Sequence, residues 1–246
     1  MRLNRVHVDA HLAAGARIAL PEPAAQHLLR VLRLREGDAC VLFNGDGNDY
    51  PARITVAGKR GGEVEILGSE PVDNESPLRI TLVQGIARGE KMDLILQKAT
   101  ELGVAAFIPV SSQRSEVRLD PARAEKRLAH WRSVVASACG QSGRARVPEV
   151  QPPESLAAAL EALPGQGRRL LLDPFAEATV ASLEASGATA FTLAVGPEGG
   201  WSANDRSALQ AAGFTGIRLG PRVLRTETAG LAAVAALQAR FGDLAA

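Results

Sequence analysis

Phe191-Thr192-Leu193-Ala194-Val195-Gly196-Pro197-Glu198-Gly199-Gly200-Trp201-Ser202-Ala203-Asn204-Asp205 is the stretch whose reading decides the fold. Its first five residues are an apolar run of the length of a buried strand. Gly196 to Gly200 breaks that run. Ser202, with Asp205 three residues later, is then a helix start in which hydroxyl and carboxylate take up free backbone N–H groups. The same grammar repeats downstream: Ile217-Arg218-Leu219 reads as a strand, Gly220-Pro221 stops it, and Arg222-Val223-Leu224-Arg225-Thr226-Glu227-Thr228 leads into a long helix. Two strand-to-turn-to-helix switches set two loops at the carboxyl ends of neighbouring strands, where open α/β sheets bind ligands. Taken singly, such glycines do no more than make tight turns. Two such loops close together, carrying Glu198 in one and Arg225 and Glu227 in the other, point to a site. Neither loop fits G-x-x-x-x-G-K-[ST] or G-x-G-x-x-G, and neither pattern occurs elsewhere, which disfavours a P-loop nucleotidase and an ordinary dinucleotide-binding domain.

The chain of 246 residues, 46% hydrophobic and 22% charged, has the composition of a soluble globular protein with one large core or two modest ones. No apolar run approaches membrane-span length, and the polar start Met1-Arg2-Leu3-Asn4-Arg5 lacks the apolar centre of a signal peptide. Cys40 and Cys139 are too few for a disulfide framework, and with the scattered His7, His11, His27 and His130 they set up no metal-ligand spacing. The expectation is a cytoplasmic protein with no membrane segment and no metal. Net charge is only +1, but Arg114 to Arg146 holds eight basic residues against three acidic ones. Such a face suits a polyanion; a solvated helix face reads the same in charge alone.

Residues 1–72 read as mostly β, with short runs at Arg5–Val8, Arg17–Leu20, Ala39–Phe43, Tyr50–Val56 and Glu63–Leu67, and one helix from Pro23 to about Arg35. Small β-barrels of this build often bind RNA, and plain packing is the alternative. Glu70 to Pro77 is a polar, proline-bounded linker. From there strands alternate with helices, which argues for a largely parallel sheet in residues 73–246. Ile80–Ile86 and Val104–Val110 are strands, and Met92, Ile95, Ala99 and Leu102 mark the helix between them, stopped at Gly103. Asp120-Pro121 opens a helix bearing Leu128, Trp131, Val135 and Ala138 on one face, and Gly140 to Arg146 reads as a flexible basic loop. Glu154–Leu163 and Thr179–Ser186 read as shorter helices around a strand, Arg169–Leu172, that ends in Asp173-Pro174 and adds a third loop to the sheet's carboxyl edge. In the last helix Leu231 to Leu237 is apolar all round, so it is buried either in the chain's own core or against a partner copy.

Several blocks together resemble one known family: Arg88-Gly89-Glu90-Lys91-Met92, Gln97 to Gly103, Gln141-Ser142-Gly143-Arg144, Gly196-Pro197-Glu198-Gly199-Gly200 and Leu219 to Thr228, with His27-x-x-Arg30-Val31-Leu32-Arg33 near the start. In this order they are similar to the RsmE family, the 16S ribosomal RNA (uracil-N3)-methyltransferases of the SPOUT superfamily. The resemblance implies an α/β trefoil-knot domain in residues 73–246 after a PUA-like RNA-binding β-barrel in residues 1–72. It implies S-adenosylmethionine as cofactor, small-subunit 16S rRNA as substrate, and a homodimer formed through the knot domain. The cofactor is expected between three loops, at Leu172 and Asp173, at Gly196, Pro197 and Gly199, and at Leu219, Gly220, Leu224 and Thr226. One position departs: Gly140 stands where the family carries a longer side chain, and it is given no role.

Methyl transfer to a uracil nitrogen needs positioning, a route for the N3 proton and a cation for the charge that develops on the ring. Arg225 is the expected cation, with Arg88 in reserve; Glu198 is either the base or a cap for the following helix. Arg30, Arg33, Arg114, Arg123, Arg127 and Arg144 are expected to hold RNA phosphates, with Gln141 and Ser142 meeting bases. A SPOUT methyltransferase acting on another nucleotide and a non-catalytic RNA-binding assembly factor are the alternatives.

Overall fold

Residues 4–58, 61–116, 120–163, 165–184 and 187–245 are described by the computed structural model. Met1, Arg2 and Leu3 of the polar start, and Ala185 and Ser186 of the helix expected after Thr179, lie outside the described residues. The chain forms two units, Met1–Glu75 with Ala136–Val147, and Ser76–Val135 with Pro148–Ala246. The first unit's opening segment thus ends inside the proline-bounded linker, and the unit also takes in residues 136–147.

In the first unit β1 (Arg5–His7), β2 (Arg17–Ala19), β3 (Ala39–Phe43), β4 (Asn48–Gly58) and β5 (Gly61–Ile66) form a sheet in the order β1-β3-β4-β5-β2, with β6 (Glu70–Pro71) on β4. Along β5 the period of two is plain: Gly62, Val64 and Ile66 are buried, while Glu63 and Glu65 face outward. Val64 and Ile66 meet Leu28, Leu42 and Ile54 in one apolar core. The helix expected from Pro23 to Arg35 changes character. α1 (Glu22–Ala25) passes into a π-helical stretch, Gln26–Val31, and stops. The Leu34 N–H reaches back to the Leu28 carbonyl at 3.0 Å, and Arg33 takes left-handed backbone with φ 58°, which no helix can continue through.

In the second unit β7 (Arg79–Gly85), β8 (Val104–Ser111), β9 (Glu149–Val150), β10 (Glu154–Ser155), β11 (Arg168–Leu172), β12 (Ala190–Val195) and β13 (Thr215–Ile217) build an all-parallel sheet. Its order is β10-β8-β7-β12-β11-β13, with β9 on β8. The central strands are buried almost throughout, as parallel strands covered on both faces must be. α2 (Glu90–Glu101) buries Met92, Ile95, Leu96 and Ala99 on one face, with acidic residues in its first turn. α3 (Pro121–Ser142), α4 (Leu156–Glu161), α5 (Ala203–Ala211) and α6 (Thr226–Phe241) complete the helices. Ser155 and Ser202 cap α4 and α5, and Ser202 and Asp205 make the reciprocal pair of bonds expected of them, each 3.0 Å.

Local readings shift at five places. The strand expected at Ile217–Leu219 lies at Thr215–Ile217, so Leu219 is free to belong to a loop. The helix expected over 154–163 is confined to Leu156–Glu161, and that after Thr179 is a single 3-10 turn, Val180–Ser182. Gly140 to Ser142 are the last turn of α3, not a loop. The Arg5 guanidinium donates to the Cys139 carbonyl at 2.8 Å and the Arg144 carbonyl at 3.2 Å, which satisfies the end of that helix with a cation. Finally, α6 is not evenly buried: Thr226, Gly230, Ala233, Val234, Leu237 and Gln238 form a stripe packed on α2 and β12, while Leu231, Ala232, Ala235 and Ala236 stay half-buried.

Gln238 is fully buried, accepting from the Ser76 hydroxyl at 2.6 Å and donating to the Leu102 carbonyl at 2.9 Å. Gln238→Leu strands both partners and is expected to lower the unfolding free energy by about 1–3 kcal/mol. A urea titration reads this as a lower midpoint at unchanged slope; an unmoved midpoint would contradict it.

Candidate active site

β12, β11 and β13 are adjacent and parallel, so the loops that follow them leave the same edge of the sheet. There they enclose a hollow of about 430 Å³, lined by residues 172–174, 195–201, 217–219 and 222–226, together with Lys91, Arg114, Arg206 and Ala229. Leu172, Asp173, Gly196, Pro197, Gly199, Leu219, Leu224 and Thr226 all line it. Gly220 does not, but its φ of 69° makes the turn between two segments that do.

Two contacts hold the loops in register. The Thr226 hydroxyl, at the start of α6, donates to the Gly196 carbonyl at 2.5 Å and accepts from Gln84 Nε2 at 3.0 Å. Gln84 sits at the end of β7, fully buried, and its amide also donates to the Gly85 carbonyl at 2.9 Å. Beside it the glycine turn lies so close to β7 that a Cβ on Gly85 would fall 2.5 Å from Pro197.

The charged residues fall into pairs and a remainder. Glu198 Oε1 accepts from the Arg88 backbone N–H and from Lys91 Nζ, each at 3.1 Å. Burial pushes its carboxyl up, but these bonds outweigh burial and hold it below the ordinary carboxylate value. Asp173 is gripped by Arg206 at 3.1 Å. Arg114 donates to the Gly199 carbonyl at 3.3 Å. Arg225 is the N-cap of α6, with its carbonyl accepting from the Thr228 and Ala229 N–H groups; its side chain is exposed, lines the hollow and has no ion pair among the described residues. Arg88 is outside the lining, its exposed guanidinium paired with Glu116.

Of the residues expected to meet RNA, Arg114 lines the hollow, Arg123 and Arg127 are exposed on α3, and Gln141 is exposed on its last turn. Arg30 and Arg33 are exposed in the first unit and line a shallow hollow there with Leu29 and Leu34. Two expectations need correction. Arg144 is buried, with its guanidinium on Glu75 at 2.5 Å, and the Ser142 hydroxyl is shut away from solvent, so neither presents itself to a ligand. Lys91, Arg206 and Gln84 carry roles the sequence reading missed. A glutamine inside the apolar run Ile80–Ile86 was the available signal for the last. No group of three or more metal-ligating side chains occurs among the described residues, and no described helix is long and apolar enough to cross a membrane.

The profile of an RNA methyltransferase domain matches residues 74–238, and that of an RNA methyltransferase PUA domain matches residues 20–67. A ribosomal RNA small subunit methyltransferase E of Buchnera aphidicola is 32% identical over 99% of this chain and 98% of its own length. The chain belongs to this family. Its fold is accordingly an α/β trefoil-knot domain of the SPOUT type with a PUA-like N-terminal domain. The crystal structure of a ribosomal RNA small subunit methyltransferase E from Neisseria gonorrhoeae bound to S-adenosyl methionine is similar at 42% identity and a TM-score of 0.90, covering 99% of this chain and 100% of that one. A methyltransferase from Legionella pneumophila, solved with the bound cofactor SAM, gives 36% identity and a TM-score of 0.94 over 99% and 100% of the two chains.

Two outcomes are expected. Gly85→Ala drives a methyl into Pro197 and should cost about 1–3 kcal/mol of stability, read by urea unfolding; a neutral result would mean the turn can move away. For Glu198, a carboxyl held below its unfolded value stabilises fully above about pH 4.3 and loses that contribution as pH falls through the lower folded value. The difference in Tm between the parent and Glu198→Gln is therefore expected to stay constant from pH 8 to about pH 5 and to shrink below about pH 4. A difference that instead changed near neutral pH would speak for a proton-accepting carboxyl.

Proposed function

We propose that this chain methylates N3 of a uridine in the 16S rRNA of the small ribosomal subunit, with S-adenosylmethionine as donor. The observation that carries the reading is the meeting of three loops from adjacent strands in one hollow with an exposed arginine, Arg225, on its wall. The hollow fits that donor. Leu172, Val195, Ile217, Leu219 and Leu224 give an apolar bed for a flat heterocycle, while the backbone of residues 196–200, 217–219 and 222–224 offers polar groups to its edge. Gly196 is packed so tightly that a Cβ there would come within 3.1 Å of Gly200. When bound, the donor supplies an electrophilic methyl carbon.

The rest falls to the chain's own residues. Loss of the N3 proton spreads negative charge onto the ring oxygens, and a fixed cation at the mouth of the hollow stabilises that charge. Arg225 suits this task, since its backbone is locked as the cap of α6 and no carboxylate competes for its side chain among the described residues. Glu198 suits anchoring better than proton removal: a carboxylate held low is a poor acceptor near neutral pH. It ties the glycine turn to Lys91 and to the start of α2. Arg114, Arg123 and Arg127 would face phosphates, as would Arg30 and Arg33 in the first unit. A homodimer through the half-buried side of α6, and a cytoplasmic location, belong to the same reading.

The test is methylation of small subunits from a strain lacking the modification, with the added methyl located by mass. The expected site is N3 of a uridine; a methyl elsewhere would refute it. Arg225→Ala should cut turnover about 100-fold or more while leaving the donor's Kd within about twofold. Equal loss of both would make Arg225 a binding residue.

A further inference from the structure

The two most exposed large apolar side chains among the described residues are Phe175, at 80%, and Val223, at 79%. They are far apart in sequence, yet both lie on loops of the same hollow. Val223 lines it, and Phe175 follows the lining residue Pro174. Aromatic rings are ordinarily mostly buried, so an outward Phe beside a site asks for a partner.

Phe175 is not on a loose segment. Its N–H donates to Asp173 Oδ1 at 3.0 Å, and the Ala176 N–H donates to the Asp173 carbonyl at 3.1 Å. Asp173 is itself held by Arg206, and its N–H donates to the Ile217 carbonyl at 3.0 Å. Two residues past Ala176, the Ala178 carbonyl accepts from the Arg218 N–H at 2.9 Å. The backbone on both sides of Phe175 is thus pinned along β13 and its continuation while the ring stands in solvent.

The surroundings choose the partner. Arg218, Arg222 and Arg225 are all exposed on the loop after β13, and Arg114 lines the same hollow. Two isolated apolar groups among arginines make a poor seat for a protein, which would need a contiguous apolar patch. They suit single-stranded RNA, where each nucleotide brings one flat face to stack and one phosphate to neutralise. We infer that Phe175 is a stacking platform for an unpaired base of the RNA strand entering the hollow, with Val223 as a second apolar contact. The inference rests on the function proposed above and adds to it a residue that selects exposed, unstacked bases.

The native tryptophans, Trp131 and Trp201, are both buried, so Phe175→Trp introduces the one exposed indole among the described residues. Its fluorescence should be quenched saturably by a short oligouridylate and not by an abasic ribose-phosphate oligomer. Equal quenching by both, or by neither, would overturn the inference. In parallel, Phe175→Ala should raise KM for small subunits about tenfold, with kcat and the Kd for S-adenosylmethionine within about twofold, and Phe175→Trp should restore KM. An unchanged KM would overturn it, as would a matching loss of donor affinity, or dissociation of a dimer seen by light scattering, which would make Phe175 a subunit contact. Should the parent protein fail to methylate small subunits, the proposed function falls, while the quenching comparison still decides the stacking.

Discussion

Thr226 offers one hydroxyl to a side-chain amide and a backbone carbonyl that are distant in sequence, and the arrangement of the hollow depends on it. The bond it accepts comes from Gln84 at the end of β7, and the bond it gives goes to Gly196 at the end of β12. Three separate parts of the chain, the edge of the sheet, the glycine turn and the start of α6, are fixed to one another through a single buried oxygen. Such an arrangement is demanding, because a buried polar group left without its partner costs more than the bond contributes. Gly85 supplies the steric half of the same constraint, since only a residue without a side chain lets the turn come so close to β7.

Charge is distributed in keeping with that. The two carboxylates lining the hollow are both spent on holding loops, Glu198 with Lys91 and Asp173 with Arg206. The arginines at 218, 222 and 225 have no such partner among the described residues, so the mouth is left with net positive potential. Acid positions the walls; base faces whatever enters. A neutral protein overall can present a strongly basic opening in this way, which the net charge of +1 conceals.

How much of this was legible in the sequence follows from the range of the interactions involved. The strands at Ile80, Val104 and Phe191 and the loops after them were legible because burial on both faces leaves apolar runs and tight turns leave glycines. Ser202 and Asp205 were legible because a capping box acts over three residues. The end of α3 was not. What carries it past Gly140 is Arg5, 134 residues from Cys139, and no local pattern announces so distant a partner. Arg144 was misjudged for the same reason: a buried arginine and a solvated one look alike until Glu75 is seen beside it. At β13 the apolar Leu219 drew the strand forward, whereas the ladder ends at Ile217 and leaves Leu219 to the hollow. The turn to π-helix before Arg33 left no mark in composition at all.

The order of the loops along the chain has a consequence for biosynthesis. They begin at residues 172, 196 and 218, and α6, whose first turn supplies Thr226, follows the third of them. During translation the N-terminal unit's strands emerge early and can pair while the remainder is still being made. The hollow, by contrast, has no third wall until that helix has cleared the exit tunnel and settled against α2 and β12. A nascent chain is therefore competent to fold its first sheet long before the hollow is complete, and small-molecule binding there can stabilise only polypeptides that already carry α6.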